Sequence, residues 1–303
     1  MRILLLGQTG QVGWELSRVL GPLGSVMAPP RDSLNLEKVD TVRSLIRDFR
    51  PEVIVNAAAY TAVDQAESDE KLAMAINARA PAVMAAEALR LDCLLVHYST
   101  DYVFDGTKTG AYLETDPPRP LSVYGRSKLA GEQAVIAAGG MHLVLRTSWV
   151  YGTRGKNFLL TMLRLARERG EVQVVDDQFG APTWCRWLAE ATGQILAQLS
   201  HQGQLDTARA RSLSGLYHLS AGERTSWCGF AREIFALAGV PCTVKAITTE
   251  EYPMPARRPS NSLLDNRKIS RCFGIQLPEW KRGLVLCLED LISKRVPIPP
   301  QVA

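Results

Sequence analysis

The sequence lacks long hydrophobic runs. Its amino-terminal apolar run, residues 3–6, is much shorter than the core of a signal peptide and stops at Gly7. No stretch reaches the roughly 18 consecutive apolar residues that a membrane-spanning helix requires. These absences predict a cytoplasmic protein that does not contact a membrane.

Paired cysteines and a strong excess of one charge are also missing. The chain has six cysteines, with no C-x-x-C pair and no histidine at zinc-ligand spacing, so we expect reduced structural thiols. Its net charge is only +4, which is too small to predict nucleic-acid binding and leaves an anionic small molecule as a ligand. With 303 residues, 46% hydrophobic and 22% charged, the composition is that of a globular protein.

The first 150 residues alternate short aliphatic runs with longer segments of helical period. This alternation predicts an α/β fold with a doubly wound parallel sheet of the Rossmann type. The predicted strands cover residues 2–6, 25–28, 53–56, 94–98 and 143–146. The predicted helices cover residues 11–20, 37–49 and 73–90, and Pro81 should start or kink the last of them.

The pattern changes after about residue 150. Helices are predicted over 157–169, 184–199 and 227–238, with a strand near 216–219. We therefore predict a dinucleotide-binding domain over residues 1–150, rejoined by later segments, and a smaller substrate-binding lobe over 151–296. Residues 202–214 are polar and aperiodic, which predicts a surface loop, and the Pro-rich residues 297–303 are predicted to be a disordered tail.

Three glycines follow the first predicted strand and lead into the first predicted helix. Gly7 permits a tight turn, Gly10 lets a pyrophosphate approach the main chain, and Gly13 allows close packing of helix and strand. The amino terminus of the helix attracts negative charge. The pattern therefore predicts dinucleotide binding, with a purely structural turn as the alternative.

The end of the second predicted strand bears on the choice between NADPH and NADH. NAD sites usually place an acid there, about 20 residues after the glycines, to accept from the ribose 2′-hydroxyl. This chain has Arg31 instead, which can pair with a 2′-phosphate, so NADPH is favoured. NADH stays open, because Asp32 follows one position later and Arg31 can equally be a solvated side chain.

Tyr124 and Lys128 are four residues apart in a segment predicted to be helical over 122–136, so both lie on one helix face. An ammonium beside a phenol favours the phenolate, and we expect it to lower the pKa of Tyr124 towards the range useful for proton transfer. A half-buried tyrosine beside a surface lysine is the alternative.

Thr100 supplies a third candidate, because Ser99-Thr100-Asp101 follows the fourth predicted strand at the edge where open α/β sheets bind ligands. A hydroxyl at this place can polarise a carbonyl group. A glycine loop, a strand-end Ser/Thr and Y-x-x-x-K in this order resemble the short-chain dehydrogenase/reductase superfamily, in the extended form that handles nucleotide sugars.

Longer stretches sharpen the resemblance to one family of that superfamily, the dTDP-4-dehydrorhamnose reductases. They are GQVGWEL (10–16), VNAAAYTAVD (55–64), HYSTDYVF (97–104), RTSWVY (146–151), DQFGAPT (177–183) and ARRPSNS (256–262). The resemblance implies NAD(P)H-dependent reduction of the 4-keto group of a dTDP-keto-sugar, dTDP-4-dehydro-β-L-rhamnose. The product would be dTDP-L-rhamnose, a precursor of cell-surface glycans such as lipopolysaccharide.

The family implies a role for each matching position. Tyr124 would protonate the developing alkoxide, Thr100 would donate a hydrogen bond to it, and Lys128 would hold the nicotinamide ribose. Asp101 and Trp149 match positions near the sugar, although Trp149 can also be an ordinary core tryptophan. The positions implied to line the dinucleotide are Gln11, Val12, Ala59, Tyr60, Thr61 and Tyr98.

Two further segments of the second lobe are candidates for the substrate site. Arg257 and Arg258 lie in a Pro-flanked stretch and suit bidentate contacts with a diphosphate or its nucleoside, with a solvated basic loop as the alternative. The turn over residues 177–183 is expected to shape the sugar pocket between the lobes.

The chain departs from the family pattern at two places. Asn35-Leu36 stands where Asp-Leu is common, and the Asn35 amide can still bond the adenine edge. Some members dimerise through a divalent metal held by carboxylates. Glu15 matches one such ligand, with an ordinary surface helix residue as the alternative, but Arg186 falls where another carboxylate is expected. We therefore do not expect bound Mg²⁺ or a metal-bridged dimer, and both monomer and homodimer stay open.

Single residues distinguish this function from some of its rivals. A nucleotide-sugar 4,6-dehydratase typically has Asp-Glu after the threonine, whereas Tyr102 follows Asp101 here. An epimerase is not excluded by residue types. A non-enzymatic binding subunit, like the regulatory subunit of methionine adenosyltransferase, is disfavoured because Thr100, Tyr124 and Lys128 are all present.

Overall fold

The computed structural model describes residues 1–293, so the predicted tail over 297–303 lies outside the described residues. The strands are β1 (Arg2–Leu6), β2 (Ser25–Met27), β3 (Val53–Asn56), β4 (Leu94–Thr100), β5 (His142–Thr147), β6 (Val150–Tyr151), β7 (Glu171–Val175), β8 (Phe179–Gly180), β9 (Thr183–Trp184), β10 (Ser200–His201), β11 (Gln204–Leu205), β12 (Gly215–His218), β13 (Thr225–Ser226) and β14 (Thr243–Ile247). The helices are α1 (Gln11–Val19), α2 (Val39–Phe49), α3 (Val63–Ala66), α4 (Glu70–Met74), α5 (Ala80–Leu91), α6 (Val123–Ala137), α7 (Phe158–Glu168), α8 (Cys185–Gln198), α9 (Thr207–Ser212), α10 (Trp227–Ala238), α11 (Arg267–Phe273) and α12 (Trp280–Ser293). Within residues 1–293, no helix is both long and apolar enough to span a membrane.

The main sheet has six parallel strands in the order β12-β5-β4-β3-β1-β2, which confirms the predicted fold class. Successive side chains of a strand point to opposite faces, so each face has its own apolar core. Helices α1, α8 and α11 cover one face with Leu16, Leu188 and Ile269. Helices α2 and α5 cover the other face with residues such as Ile46 and Met84.

The strand order reverses direction at β1, whose neighbours are β2 on one side and β3 on the other. The helices that follow β1 and β3 therefore lie on opposite faces of the sheet, and a crevice opens between them at the carboxyl ends of the two strands. Open α/β sheets bind ligands at such a switch point. The fold thus places residues 7–10 and 57–60 on the two sides of one crevice.

A second core lies after β5 and is built around α7, α10 and α12. Leu159, Phe230, Ile234 and Leu284 are fully buried in it, and the parallel pair β7–β14 lies beside these helices. The chain also returns to the first core, because β12 extends the main sheet and α8 packs against α1. The two lobes therefore share a chain that crosses between them several times.

The predicted helix over 73–90 is interrupted. A π-helical turn, Ala75–Arg79, separates α4 from α5. Pro81 explains the interruption, because its nitrogen carries no proton to donate to the carbonyl of Asn77 four residues earlier. Such π turns are frequent at functional sites, and Asn77 here contacts the loop after β3 through its side chain.

The predicted surface loop over 202–214 is wrong. The strands β10 and β11 form a short hairpin there, and α9 follows it. Gln202 and Gly203 form the turn with φ of 49° and 79°, the positive values that a tight two-residue hairpin requires. Asp206 then caps α9 by accepting a hydrogen bond of 3.0 Å from the Arg209 N–H.

Candidate nucleotide-binding and catalytic site

Two of the three glycines in the loop leave no space for a side chain. Gly7 has a φ of 89°, and a Cβ on it would lie 2.6 Å from the main-chain nitrogen of Ala58. A Cβ on Gly13 would lie 2.0 Å from the Gly7 oxygen. Gly10 is exposed, precedes α1, and donates its N–H to the Gly7 oxygen at 2.9 Å. The loop therefore presents bare main chain at a helix amino terminus, which fits the pyrophosphate of a dinucleotide.

The loop after β3 forms the other side of the crevice. The Tyr60 N–H donates to Asn77 Oδ1 at 2.8 Å, and Asn77 Nδ2 donates to the Tyr60 oxygen at 3.0 Å. This reciprocal pair fixes the main chain between Ala59 and Thr61, both of which the family resemblance assigned to the dinucleotide. Asn77 itself was not identified from the sequence.

The residues assigned to the adenosine end lie after β2. Arg31 is exposed, and so is Asn35, whose Oδ1 accepts a hydrogen bond of 2.9 Å from the Glu37 N–H. The Asn35 NH₂ group is a hydrogen-bond donor on this exposed side chain. Leu36 packs against the apolar core under α2. Gln8 ties the glycine loop to this region by donating to the Ala28 oxygen.

Gln11 and Val12 place the start of α1 between the two lobes. Gln11 Oε1 accepts a hydrogen bond of 2.8 Å from Asn157 Nδ2, which also donates to the Gly152 oxygen at 2.9 Å. Val12 packs against both apolar cores. Asn157, which sequence reasoning missed, therefore connects the second lobe to the first turn of α1.

Helix α6 carries Tyr124 and Lys128 on one face, and Ser122 caps it by accepting a 3.2 Å hydrogen bond from the Gly125 N–H. The Lys128 side chain crosses to β4, where its Nζ donates to the main-chain oxygen of Tyr98 at 2.6 Å. Lys128 is only 2% exposed. Burial lowers the pKa of Lys128 to about 8, while the nearby Glu132 carboxylate acts in the opposite direction.

The expected lowering of the Tyr124 pKa is wrong for this structure. Burial raises the pKa of Tyr124 to about 12, and a hydrogen bond with Thr100 offsets only part of this effect. Lys128 does not counteract the burial, because its ammonium points to Tyr98. Tyr124 is therefore a neutral phenol at pH 7, which is the form that donates a proton.

Thr100 and Asp101 form a buried polar cluster where β4 ends. Thr100 Oγ1 donates to Asp101 Oδ1 at 2.9 Å, and Ser148 Oγ donates to Asp101 Oδ2 at 3.0 Å. Burial raises the pKa of Asp101 to about 6, against the effect of hydrogen bonds from Ser262, Thr100 and Ser148. Ser148 and Ser262 were not predicted, because their contacts depend on how β5 and the second lobe pack around Asp101.

Tyr98 lies at the site with its main chain only. Its phenol is buried in the core between the sheet and α8, where it shares a hydrogen bond of 2.5 Å with Thr192 Oγ1. Tyr98 was assigned to the dinucleotide by family resemblance. In this structure its contribution is the carbonyl oxygen that holds Lys128.

Trp149 is held in an unusual conformation for a non-glycine residue, with a φ of 46°. Its ring stacks on Trp227, with centroids 3.5 Å apart and planes 4° apart. Gly180 packs so closely that a Cβ on it would lie 2.4 Å from Trp149 Cε2. Trp149 is therefore fixed between α10 and the predicted pocket-forming turn over 177–183, and Trp227 is an aromatic neighbour that the sequence did not reveal.

The two adjacent arginines of the second lobe have different surroundings. Arg257 is exposed. Arg258 is half-buried and forms a two-fold hydrogen-bonded ion pair with Asp64 of α3, at 3.1 Å and 2.7 Å. Only Arg257 thus presents an exposed guanidinium to a ligand.

The candidate metal ligand Glu15 is paired with arginine. Its Oε2 lies 3.2 Å from Arg186 Nε and 3.9 Å from Arg18 Nη1, and Arg186 also contacts Asp290 at 2.5 Å. Among residues 1–293, no cluster of three His, Cys, Asp or Glu side chains is arranged to hold a metal ion. The family pattern would place a second carboxylate at position 186, but this chain has Arg186 there, and its positive charge pairs with Glu15.

Comparisons with known proteins agree over nearly the whole chain. A family model described as the RmlD substrate binding domain matches residues 1–293. The dTDP-4-dehydrorhamnose reductase of Burkholderia thailandensis is 49% identical over 302 residues, covering 97% of this chain and 100% of the relative.

Solved structures give the same result. A dTDP-4-dehydrorhamnose reductase from Clostridium acetobutylicum superposes with a TM-score of 0.89 at 36% identity, covering 96% of this chain and 100% of that one. The enzyme of the same name from Bacillus anthracis, solved in complex with NADP, has a TM-score of 0.86 at 35% identity and covers 95% and 99%. The similarity therefore includes both the sheet domain and the second lobe.

Proposed function

The chain belongs to the dTDP-4-dehydrorhamnose reductase family, and we propose that it reduces the 4-keto group of dTDP-4-dehydro-β-L-rhamnose to dTDP-L-rhamnose with NADPH. One observation carries the proposal beyond family membership. Thr100, a protonated Tyr124 and a buried Lys128 come together where β4 ends, on the same sheet edge as the glycine loop.

We propose that the sheet domain holds the cofactor. The main chain at Gly10 and the amino terminus of α1 bind the pyrophosphate, and Arg31 pairs with the 2′-phosphate. The Asn35 amide bonds the adenine edge, the loop from Ala59 to Thr61 lines the cofactor, and Lys128 holds the nicotinamide ribose. The Bacillus anthracis relative, solved with NADP, supports this assignment. When bound, the nicotinamide supplies the hydride that reduces the sugar at C4.

Tyr124 supplies the proton in this proposal. As the C4 carbonyl becomes an alcohol, the phenol of Tyr124 gives its proton to the C4 oxygen, and Thr100 stabilises the charge that develops there. With a pKa that burial raises to about 12, the phenol of Tyr124 is protonated at neutral pH.

The second lobe and the end of β4 are proposed to bind the sugar nucleotide. Asp101 and Trp149 match positions that the family resemblance implies near the sugar, and in this proposal the exposed guanidinium of Arg257 binds the diphosphate. We also propose a cytoplasmic location, because dTDP-sugars and NADPH carry several negative charges and do not cross membranes unaided.

The test follows NADPH absorbance with purified protein and dTDP-4-dehydro-L-rhamnose. Tyr124→Phe should lower turnover by about 100-fold or more while NADPH binding persists, because the variant loses its proton donor. Tyr252→Phe, at an exposed tyrosine, is the matched control and should behave as wild type. A wild-type protein that binds NADPH but does not consume it with this sugar overturns the substrate assignment.

A further inference from the structure

A salt bridge between the two lobes lies close to Tyr124, and the proposed reaction gives it no role. Arg258 Nη1 and Nη2 donate to the two carboxylate oxygens of Asp64 at 3.1 Å and 2.7 Å. The Ala256 N–H also donates to Asp64 Oδ1, at 3.2 Å. Arg258 belongs to the second lobe and Asp64 to α3 of the first lobe, so this bidentate salt bridge joins the two lobes.

Arg258 reaches Tyr124 through Tyr102. The Arg258 guanidinium lies beside the Tyr102 side chain as well as Asp64, and its charge counteracts part of the burial that raises the pKa of Tyr102. The rings of Tyr102 and Tyr124 meet edge to face, with centroids 5.8 Å apart and planes at 78°. The main-chain oxygen of Tyr102 also packs against the first turn of α6, since a Cβ on Gly125 would lie only 2.3 Å from this oxygen. Tyr102 therefore contacts the start of α6 with both its ring and its main chain.

The segment that carries Asp64 holds α6 at a second point. Glu67, at the end of α3, accepts a 2.8 Å hydrogen bond from the Val123 N–H, one of the main-chain donors that a helix leaves unpaired at its start. Val123 precedes Tyr124. The catalytic tyrosine is thus flanked by Glu67 of the first lobe and by Tyr102, which is tied to Arg258 of the second lobe.

The surroundings of Arg258 distinguish this pair from an ordinary surface ion pair. Fully exposed pairs contribute little to stability, whereas the side chains of Arg258 and Asp64 are only 19% and 30% exposed. Arg258 Nη1 also donates to the Ala256 oxygen at 3.0 Å. With Asp64, Ala256 and Tyr102 as partners, the guanidinium is already engaged within the protein and is poorly placed to serve as a diphosphate ligand.

We infer that Asp64, Arg258 and Tyr102 are positioning residues that join the two lobes and hold Tyr124 in place for proton donation. This inference rests on the proposed function, because it assigns Tyr124 as the proton donor. A small displacement of a catalytic group is costly to the rate. Loss of the Asp64–Arg258–Tyr102 contacts should therefore lower kcat more than it weakens the binding of either substrate.

The experiment combines kinetics with a direct probe of Tyr124. The full-length protein is labelled with 3-fluorotyrosine, and the Tyr124 fluorine resonance is assigned from Tyr124→Phe. Asp64→Asn, Arg258→Gln and Tyr102→Phe should each shift this resonance and lower kcat about tenfold, with KM for the sugar nucleotide changed less than about threefold. Arg258→Lys keeps the positive charge but cannot make the bidentate hydrogen bonds, so its kcat should lie between those of wild type and Arg258→Gln.

The matched control is Arg164→Gln, which removes an exposed ion pair with Glu168 on α7 and should leave both readouts unchanged. If Asp64 and Arg258 act through each other, Asp64→Asn/Arg258→Gln should lose no more kcat than the worse single variant. The inference would be overturned if the double variant lost the product of the two single-variant losses in kcat. A raised KM with normal kcat, or an unshifted Tyr124 resonance, in the single variants would also overturn it. Absence of wild-type turnover would overturn only the proposed function. The fluorine resonance needs no substrate, so it still shows whether Asp64, Arg258 and Tyr102 hold Tyr124 in place.

Discussion

The ammonium of Lys128 donates a 2.6 Å hydrogen bond to the main-chain oxygen of Tyr98, inside a contact between α6 and β4 that is closed to water. One turn further along α6, Glu132 accepts two hydrogen bonds from the Arg146 guanidinium, at 2.9 Å and 2.7 Å. A layer of buried charge therefore lies directly behind the catalytic face of the helix. Burying a cation is unfavourable, so the position of Lys128 indicates a function that outweighs its cost to stability.

Replacing Lys128 with methionine should abolish turnover and yet raise the melting temperature at pH 7, by roughly 2–5 °C. The folded-state pKa of Lys128 is lowered from 10.5 to about 8, so the folded protein disfavours the charged form. Between about pH 8 and 10.5 the unfolded chain holds more protons than the folded one, and wild-type stability gains with pH in that window.

The stabilisation by Lys128→Met should therefore shrink between pH 7 and pH 9.5, as scanning calorimetry at the two values would show. Lys71→Met, at an exposed lysine, is the control for the same substitution at the surface. A Lys128→Met variant that melts well below wild type at pH 7 would contradict this assignment of an unfavourable buried charge.

Gly13→Ala should weaken NADPH binding by about tenfold or more, as measured by cofactor fluorescence. The added carbon would lie 2.0 Å from the Gly7 oxygen, so α1 or the glycine loop must shift away from the pyrophosphate position. Gly21→Ala introduces the same group where no atom lies within 4 Å, and it should bind NADPH as wild type does. Equal affinities for the two variants would argue against a cofactor site at this loop.

Arg31→Ala should reduce the preference for NADPH over NADH, with kcat/KM for NADPH falling about tenfold and that for NADH nearly unchanged. The reason is that Arg31 is proposed to pair with the 2′-phosphate, which NADH does not carry. Arg2→Ala is an exposed control on the other side of the domain, at the amino-terminal end of β1. Equal losses of kcat/KM with both cofactors would show that Arg31 does not bind the 2′-phosphate.

The parts of the fold that the sequence predicted well are those with short-range causes. The strands over 2–6 and 53–56 agree with the structure residue for residue, because a strand buried on both faces is a continuous aliphatic run. The glycine loop and the Y-x-x-x-K pair are likewise local patterns. The loop prediction over 202–214 failed because Gln202, an unusual residue for positive φ, completes the hairpin turn.

The features that the sequence could not predict depend on tertiary contacts. Asp64 and Arg258 are 194 positions apart, and their pairing follows only from how the lobes meet. Trp149 and Trp227 stack for the same reason. The pKa of Tyr124 is also a tertiary property, since spacing shows that Lys128 is near but not that its ammonium turns to Tyr98 and leaves burial to dominate.

The most direct test of the proposed reaction is the fate of a labelled hydride. Protein, dTDP-4-dehydro-L-rhamnose and NADPH carrying deuterium at the transferable C4 position are incubated together, and the sugar product is analysed by NMR. The proposal predicts one deuterium at C4 of the hexose in dTDP-L-rhamnose, in a one-to-one ratio with NADPH consumed. A product without deuterium, or with deuterium at another carbon, would contradict it.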